Sequence, residues 1–321
     1  MNVLAIPRAP LVAAVLLILI PLAVPSWIVF ILTKAMFMFI AVMGVSVLLR
    51  GGLLTFGHAL YYATGAYAVG FSVKWLGIQE LVLLIPLGGL AGLVMAALVG
   101  LIMARYREVF FAMLNLAFSM ILFGALLKFY WVTGGTDGLA IGTATLFGAE
   151  LEGDTLGYYY FSLAIVGVVT VVVYRFMASP AGYFLRAMYD NEIRIEYSGV
   201  AVRQVVYRTS LLAGALGGVS GVLAAFTIGH IVPEDAFWIQ SGEFVFIALL
   251  GGFGGVPGPM LGALVFEFIQ TYASKYFPLA WQMMMGIIML LIILFQPGGL
   301  WAMYQGIEKK LGRKARGGEN S

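Results

Sequence analysis

Apolar and polar positions along this chain fall into long blocks. Apolar runs occupy Leu11–Val24, Ser26 or Lys34 to Leu49, Gly51–Lys74, Glu80–Ala104, Val109–Trp131, Tyr158–Tyr174, Val205–Ile228, Ser241–Ser274 and Pro278–Phe295. A helix crosses roughly 30 Å of hydrocarbon with about 20 apolar residues. Backbone groups in lipid must be satisfied within their own segment, which favours helices. The ten-residue alternation of a membrane barrel is absent. The pattern predicts an all-α polytopic membrane protein with about 8–10 transmembrane segments in one domain over 1–308. A short basic tail follows over 309–321.

Two runs need interpretation. Leu11–Val24 follows Arg8 and has the length of a signal-peptide core. An uncleaved first span is the preferred reading, because a second apolar run follows at once and no small-x-small site stands out. Ser241–Ser274 is broken by Gly251, Gly252, Gly254 and Gly258-Pro259. Its first part, to Gly252, spans about 18 Å at 1.5 Å per residue, short of a crossing. A broken, re-entrant hairpin near 241–274 is expected, and such breaks are tolerated where protein surrounds them. Counted as two passes, it gives ten segments and room for an inverted repeat, although no sequence repeat is evident. Lys34 is placed near the outer end of its span, where it snorkels to water.

The longest polar interval is Tyr174–Arg208, a cytoplasmic loop over 175–204 with Arg175, Arg186, Arg194, Arg203 and Arg208 in and around it. Ser179–Pro180 has the form of a helix start and Gly199 that of a stop. A short amphipathic helix between them, with Phe184, Leu185, Met188, Ile193 and Ile195 beside the charges, suits docking onto another protein. With this loop inside, Arg8, Arg50 and Arg105–Arg107 are also inside. The acidic stretch 133–157 is then outside, in keeping with the positive-inside rule. Both termini fall on the cytoplasmic side.

Composition narrows the chemistry. The chain has 321 residues, 62% hydrophobic and 10% charged, with mean hydropathy +1.00. Soluble domains carry about 25% charge. With no cysteine and two histidines, disulfides, thiolate sites and histidine metal clusters are excluded. No Gly-x-x-x-x-Gly-Lys-Ser/Thr loop is present, so nucleotide binding through that motif is not expected. The net charge of +3 gives no pointer to nucleic acid. No catalytic set is apparent, and the chain is expected not to be an enzyme.

Four segments resemble the ABC-importer permeases of the branched-chain amino acid, LivM-type, family. They are Gly182, Leu185-Arg186-Ala187, Asp190-Asn191-Glu192, Glu196 and Gly199; Gly57-His58-Ala59 with Gly65-Ala66-Tyr67; Thr133-Gly134-Gly135 with Asp137 and Gly138; and Glu243, Gly251-Gly252, Gly254, Gly258-Pro259 and Gly262. Ser46 and Gly298 stand where many relatives have asparagine and arginine. The resemblance implies that the first segment contacts an ATPase, with all nine of its residues in coupling. It also implies two ATPase subunits that hold ATP and Mg, a second LivH-type permease and an extracytoplasmic solute-binding protein. This chain itself would hold no cofactor. The location implied is the bacterial inner membrane.

Site residues remain alternatives at this level. His58 in an apolar span is either a substrate contact or a packing histidine. Asn115 and Ser119 share a helix face and either line a path or bond between helices. Gly57, Gly252, Gly254 and Gly258 are path candidates, because broken helix ends offer dipoles to a carboxylate or zwitterion. Thr133, Gly134, Gly135 and Asp137 mark an outer loop. Glu243 is either an outer gate or a solvated interfacial carboxylate. The substrate reading is a branched-chain or other hydrophobic amino acid, with urea, short amides or aromatic carboxylates as alternatives. An ion-coupled secondary transporter is the competing class. It requires a mid-membrane carboxylate, for which Glu267, placed towards the outer end of its span, is the candidate. A passive channel or purely structural subunit would not need the charged loop.

Overall fold

The most buried helix of the bundle is one of the most apolar. In the computed structural model, which describes residues 8–151, 155–295 and 298–303, α2 (Ser26–Leu49) buries 83% of its most apolar window. In chain order the first helices are α1 (Arg8–Ala23), α2, α3 (His58–Leu76), α4 (Leu81–Met103), α5 (Glu108–Lys128) and the single turn α6 (Tyr130–Thr133). The chain continues as α7 (Thr155–Met177), α8 (Pro180–Asp190), α9 (Glu192–Tyr197), α10 (Val202–Ile228), α11 (Trp238–Gly251), α12 (Pro257–Tyr276) and α13 (Trp281–Phe295). Helices α2, α4, α5, α7 and α10 are each long and apolar enough to cross a membrane. The protein is a multi-pass, all-α membrane protein.

Glycine sets the tightest packing. A Cβ on Gly218 of α10 would overlap the Gly88 carbonyl oxygen of α4, and one on Gly92 would overlap the Gly214 carbonyl oxygen. On another face of α10, Gly221 lies against the Tyr62 carbonyl of α3. Gly214 and Gly218 are therefore used on α4, and Gly217 and Gly221 on α3. Close backbone approach replaces the hydrophobic effect as the source of association in lipid.

Helix directions follow from paired positions. Ser220 donates to the Phe37 carbonyl (2.6 Å), and Gly44 lies against Ala213, so α2 and α10 are antiparallel. Gly88 and Gly100 of α4 meet Val222 and Tyr207 of α10, so these two are antiparallel as well. The Lys34–Glu267 pair and the Arg50–Phe253 bond set α12 antiparallel to α2. Helices α2 and α4 thus run one way, and α10 and α12 the other. These are the directions that an inverted repeat, for which ten segments leave room, would give these four helices.

Two helices start inside the bundle. Residues 51–57 run without regular structure from the end of α2 to α3, whose first residue, His58, packs on Gly44 and Gly217. On the other side, 229–237 leads from α10 to α11 through a 3-10 turn, Pro233–Ala236. Ser119, about 17 Å along α5, donates to the Ala236 carbonyl (2.7 Å), so this lead descends from the small-sheet end into the bundle before α11 begins. It also corrects the depth expected for the hairpin. The α11–α12 bend reaches the α8 end, where Arg50 donates to the Phe253 carbonyl (2.6 Å). The lead carries the chain part of the way, so a short α11 completes the distance.

At the opposite end are two small sheets. β1 (Leu139–Ala140) pairs antiparallel with β4 (His230–Ile231), and β2 (Thr145–Leu146) with β3 (Ala149–Glu150). The Glu80 carboxylate accepts from the Phe147 and Gly148 amides (3.1 and 2.7 Å). The basic tail 309–321 lies outside the described residues.

Candidate functional site

The polar interval of the sequence folds as two helices, not one. Pro180 opens α8 in the first position, and the Ser179 hydroxyl turns back to the Phe176 carbonyl (2.6 Å). Asn191 breaks the helix and starts the next, accepting from the Arg194 amide (3.0 Å). Gly199, at φ +82°, ends it. Asparagine is a strong helix-start residue because its side chain satisfies an unpaired amide.

Burial divides the segment into two faces. Gly182, Leu185 and Met188 of α8 and Ile195 of α9 are buried, whereas Arg186, Ala187, Asp190 and Glu196 are exposed. Tyr183, Tyr189, Ile193 and Tyr197 are exposed among these charges, Tyr197 at 89%. Of the apolar residues singled out in the sequence, Phe184 and Ile193 thus face outward. Gly182 packs on the Met177 and Phe176 carbonyls, where a Cβ would come within 2.6 Å of the latter. Leu185 and Met188 seat against Gly51, and Tyr189 lies against Gly52, the turn that follows α2. Glu192 pairs with Arg107 of the α4–α5 turn (2.9 Å), which ties α9 to the bundle. That pair is partly solvated, and exposed pairs contribute about 0–1 kcal/mol. Glu192→Gln is expected to leave the melting temperature of the purified chain within a few degrees of the parent.

Beside α8 lies a cavity of about 390 Å³ lined by Arg50, Arg186, Asp190, Tyr189, Phe253 and Gly254 among others. Burial, and after it the Arg186 guanidinium, lowers the Arg50 pKa from its usual value. Gly254 and Gly252 thus belong to the α8 end. Gly252, at φ +85°, packs against the turn at Gly298 and Gly299. Gly258 packs back on Gly251 and Gly252, closing the bend.

The other path candidates are inside the packed core. His58 is fully buried, neither ring nitrogen has a hydrogen-bond partner, and Tyr61 and Phe244 meet its ring edge-on at 5.7 and 6.0 Å. Gly57 touches the Asn115 backbone directly. The Asn115 amide donates to the Phe111 carbonyl of its own helix (2.9 Å), and Ser119 bonds the 229–237 lead. Ser241 of α11 accepts from the Ala59 amide (2.8 Å), so α3 and α11 are linked where both begin. A separate cavity of about 440 Å³, largely apolar, lies between Leu54, Phe56 and α5 at Val109, Ala112 and Met113.

The outer-loop candidates lead from α6 into β1 and lie against β4. Thr133 donates to the Leu126 carbonyl (2.6 Å) and accepts from the Gly135 amide (3.2 Å). Gly134, Gly135 and Gly138 all have positive φ, and a Cβ on Gly138 would overlap the Ile231 carbonyl oxygen. Tyr130 donates to the Asp137 carboxylate (3.2 Å), and the His230 ring meets the Asp137 carbonyl (2.9 Å).

The ion pair between Lys34 and Glu267 was not foreseen in the sequence. Lys34 lies about 12 Å along α2, and its Nζ is 3.1 Å from Glu267 Oε2. It does not snorkel to an end. Glu267 is fully buried and midway along α12, not near its end. Glu243 lies half-buried on α11 within electrostatic reach of both charges, and Gln240 donates to it (3.4 Å). A charge inside an apolar run was the available signal.

Residues 27–294 match the family model described as "Branched-chain amino acid transport system / permease component". The chain belongs to this family. It is 28% identical over 307 residues to the high-affinity branched-chain amino acid transport system permease protein LivM of Escherichia coli K12, covering 88% of this chain and 72% of that protein. It is 28% identical over 240 residues to the probable LivM permease of Methanocaldococcus jannaschii, with 70% and 69% coverage. Similarity to LivH of Escherichia coli K12 is 25% over 270 residues, with 78% and 85% coverage. No solved structure matches. The permease chain is thus a transport component.

Proposed function

We propose that this permease is the membrane-spanning subunit of a binding-protein-dependent ABC importer. It passes branched-chain or other hydrophobic amino acids, using ATP hydrolysed on two partner ATPase subunits. The observation that carries this reading is the two-faced α8–α9 segment. One face is locked by Leu185 and Met188 onto the turn of the central helix. The other presents Arg186, Asp190, Glu196 and exposed tyrosines to a partner. A chain with no phosphate-binding loop needs such a handle if ATP is to drive it. The α8 end also carries Arg50, Arg105 and Arg107, which supports placing it, and both termini, on the cytoplasmic side. A LivH-type permease and an extracytoplasmic binding protein complete the assembly in this reading, in the bacterial inner membrane. Urea, short amides and aromatic carboxylates are the substrate alternatives.

Reconstitution with the ATPases, second permease and binding protein tests it. Uptake of radiolabelled leucine should require ATP and the binding protein. Uptake by this chain alone down an ion gradient would overturn the proposal. That second reading has one observation in its favour, the buried Glu267 carboxylate beside Lys34.

A further inference from the structure

Arg50 occupies a junction. It follows the last residue of α2, and its amide is bonded to the Ser46 and Leu48 carbonyls. Its side-chain Nε donates to the Phe253 carbonyl at 2.6 Å. Phe253 lies just past the end of α11, so the guanidinium faces the negative ends of two helices, α2 and α11. The next two residues meet α8: Leu185 and Met188 lie against Gly51, and Tyr189 against Gly52. Three consecutive residues therefore touch the α8 segment on one side and the α11–α12 bend on the other. The bend itself, 252–256, has no regular structure, and its position depends on what holds it.

We propose that Arg50 is a positioning residue that transmits displacement of α8 to the α11–α12 bend through its Nε–Phe253 hydrogen bond. A shift of α8 against Gly51 and Gly52 moves the α2 terminal turn, and Arg50 draws the Phe253 carbonyl with it. The bend continues directly into α12, which holds Glu267, and it packs on the closing turn at Gly298 and Gly299. One contact at the α8 end thereby reaches both α2 and α12. The proposal rests on the importer reading, since it supposes a partner that moves α8.

The test separates the hydrogen bond from the charge. In Arg50→Gln the amide nitrogen takes the place of Nε and the charge is lost. In Arg50→Met the stem is kept and no donor remains. Uptake and ATP hydrolysis are measured side by side in the fully assembled, reconstituted importer. Arg50→Met should lower the ratio of solute moved to ATP hydrolysed by about tenfold, the weight of one charged hydrogen bond. Arg50→Gln should stay within about threefold of the parent, since the donor survives. Equal ratios for the two variants, or a parallel fall of uptake and hydrolysis, would overturn the proposal. If neither substituted chain assembles, hydrogen exchange on the unsubstituted importer decides it. Exchange over 252–256 should change when a non-hydrolysable ATP analogue binds, and an unchanged profile would sink the idea. Loss of ATP dependence in the unsubstituted importer would instead count against the importer reading.

Discussion

Replacing Lys34 by methionine is expected to destabilise the folded permease by about 3–5 kcal/mol, the cost of stranding one member of a buried ion pair. Glu267 has no exposed surface, and Lys34 Nζ is 3.1 Å from its carboxylate. Without that ammonium the carboxylate either keeps an uncompensated charge or takes up a proton, and proton uptake caps the loss. Glu267→Leu leaves the ammonium instead, but Lys34 retains 24% of its side-chain surface and reaches solvent or headgroups more easily. The smaller loss should therefore belong to the glutamate variant. The double variant Lys34→Met/Glu267→Leu removes both charges and should regain most of the stability, because apolar replacements of buried pairs are often neutral. Denaturation of the purified chain in detergent, arranged as a double-mutant cycle, measures this. Losses that simply add would show that the two side chains do not depend on each other. The same set bears on the ion-coupled reading, in which Glu267→Leu would abolish uptake even when stability is restored.

How much of this was written in the sequence depends on the property. Long apolar blocks announce membrane helices because lipid and protein interior both reject charge, and the expected spans agree closely with the helices. The same property hides depth. The apolar windows of α2 and α5 have similar hydropathy, 2.4 and 2.2, yet 83% of one and 28% of the other is buried. An apolar face does not state whether lipid or protein covers it. Lys34 was misplaced for this reason: a charge near one end of an apolar run suggests snorkelling, whereas here a carboxylate 233 positions along the chain receives it. The depth of the leads 51–57 and 229–237 is hidden too, since a short irregular stretch entering a bundle carries the same Gly, Pro and Asp signals as a surface turn. Ser179–Pro180 and Gly199 were legible because helix caps are local chemistry. The break at Asn191 is equally local, and its asparagine was the available cue. Arg50 contributed only a sign to the charge rule, because its partner is a backbone carbonyl, which no side-chain pattern reports.

Shortening Leu185 to alanine should uncouple the importer while leaving its helical bundle intact. Leu185 is fully buried on α8 and lies against Gly51, with Met188 beside it. Its removal opens a cavity worth about 2–5 kcal/mol. The rest of α8 has little to offset such a loss: its remaining buried positions are Gly182 and Met188. The bundle is held elsewhere, by α2, α4 and α10. The cost therefore falls on the docking of α8, and the segment should detach locally before the chain unfolds. ATP hydrolysis in the assembled complex should then persist, or fall far less than uptake, while uptake drops by at least about tenfold, since 1.4 kcal/mol already accounts for that factor. Leu185→Met, which conserves volume, should cost less than about 1.5 kcal/mol and retain transport. Greater protease sensitivity over 178–201, with unchanged melting of the membrane helices, would mark the defect as local. If Leu185→Ala transported like the parent, a firm seat for α8 on the end of α2 would be unnecessary, and the proposed route from motor to membrane would have to start elsewhere.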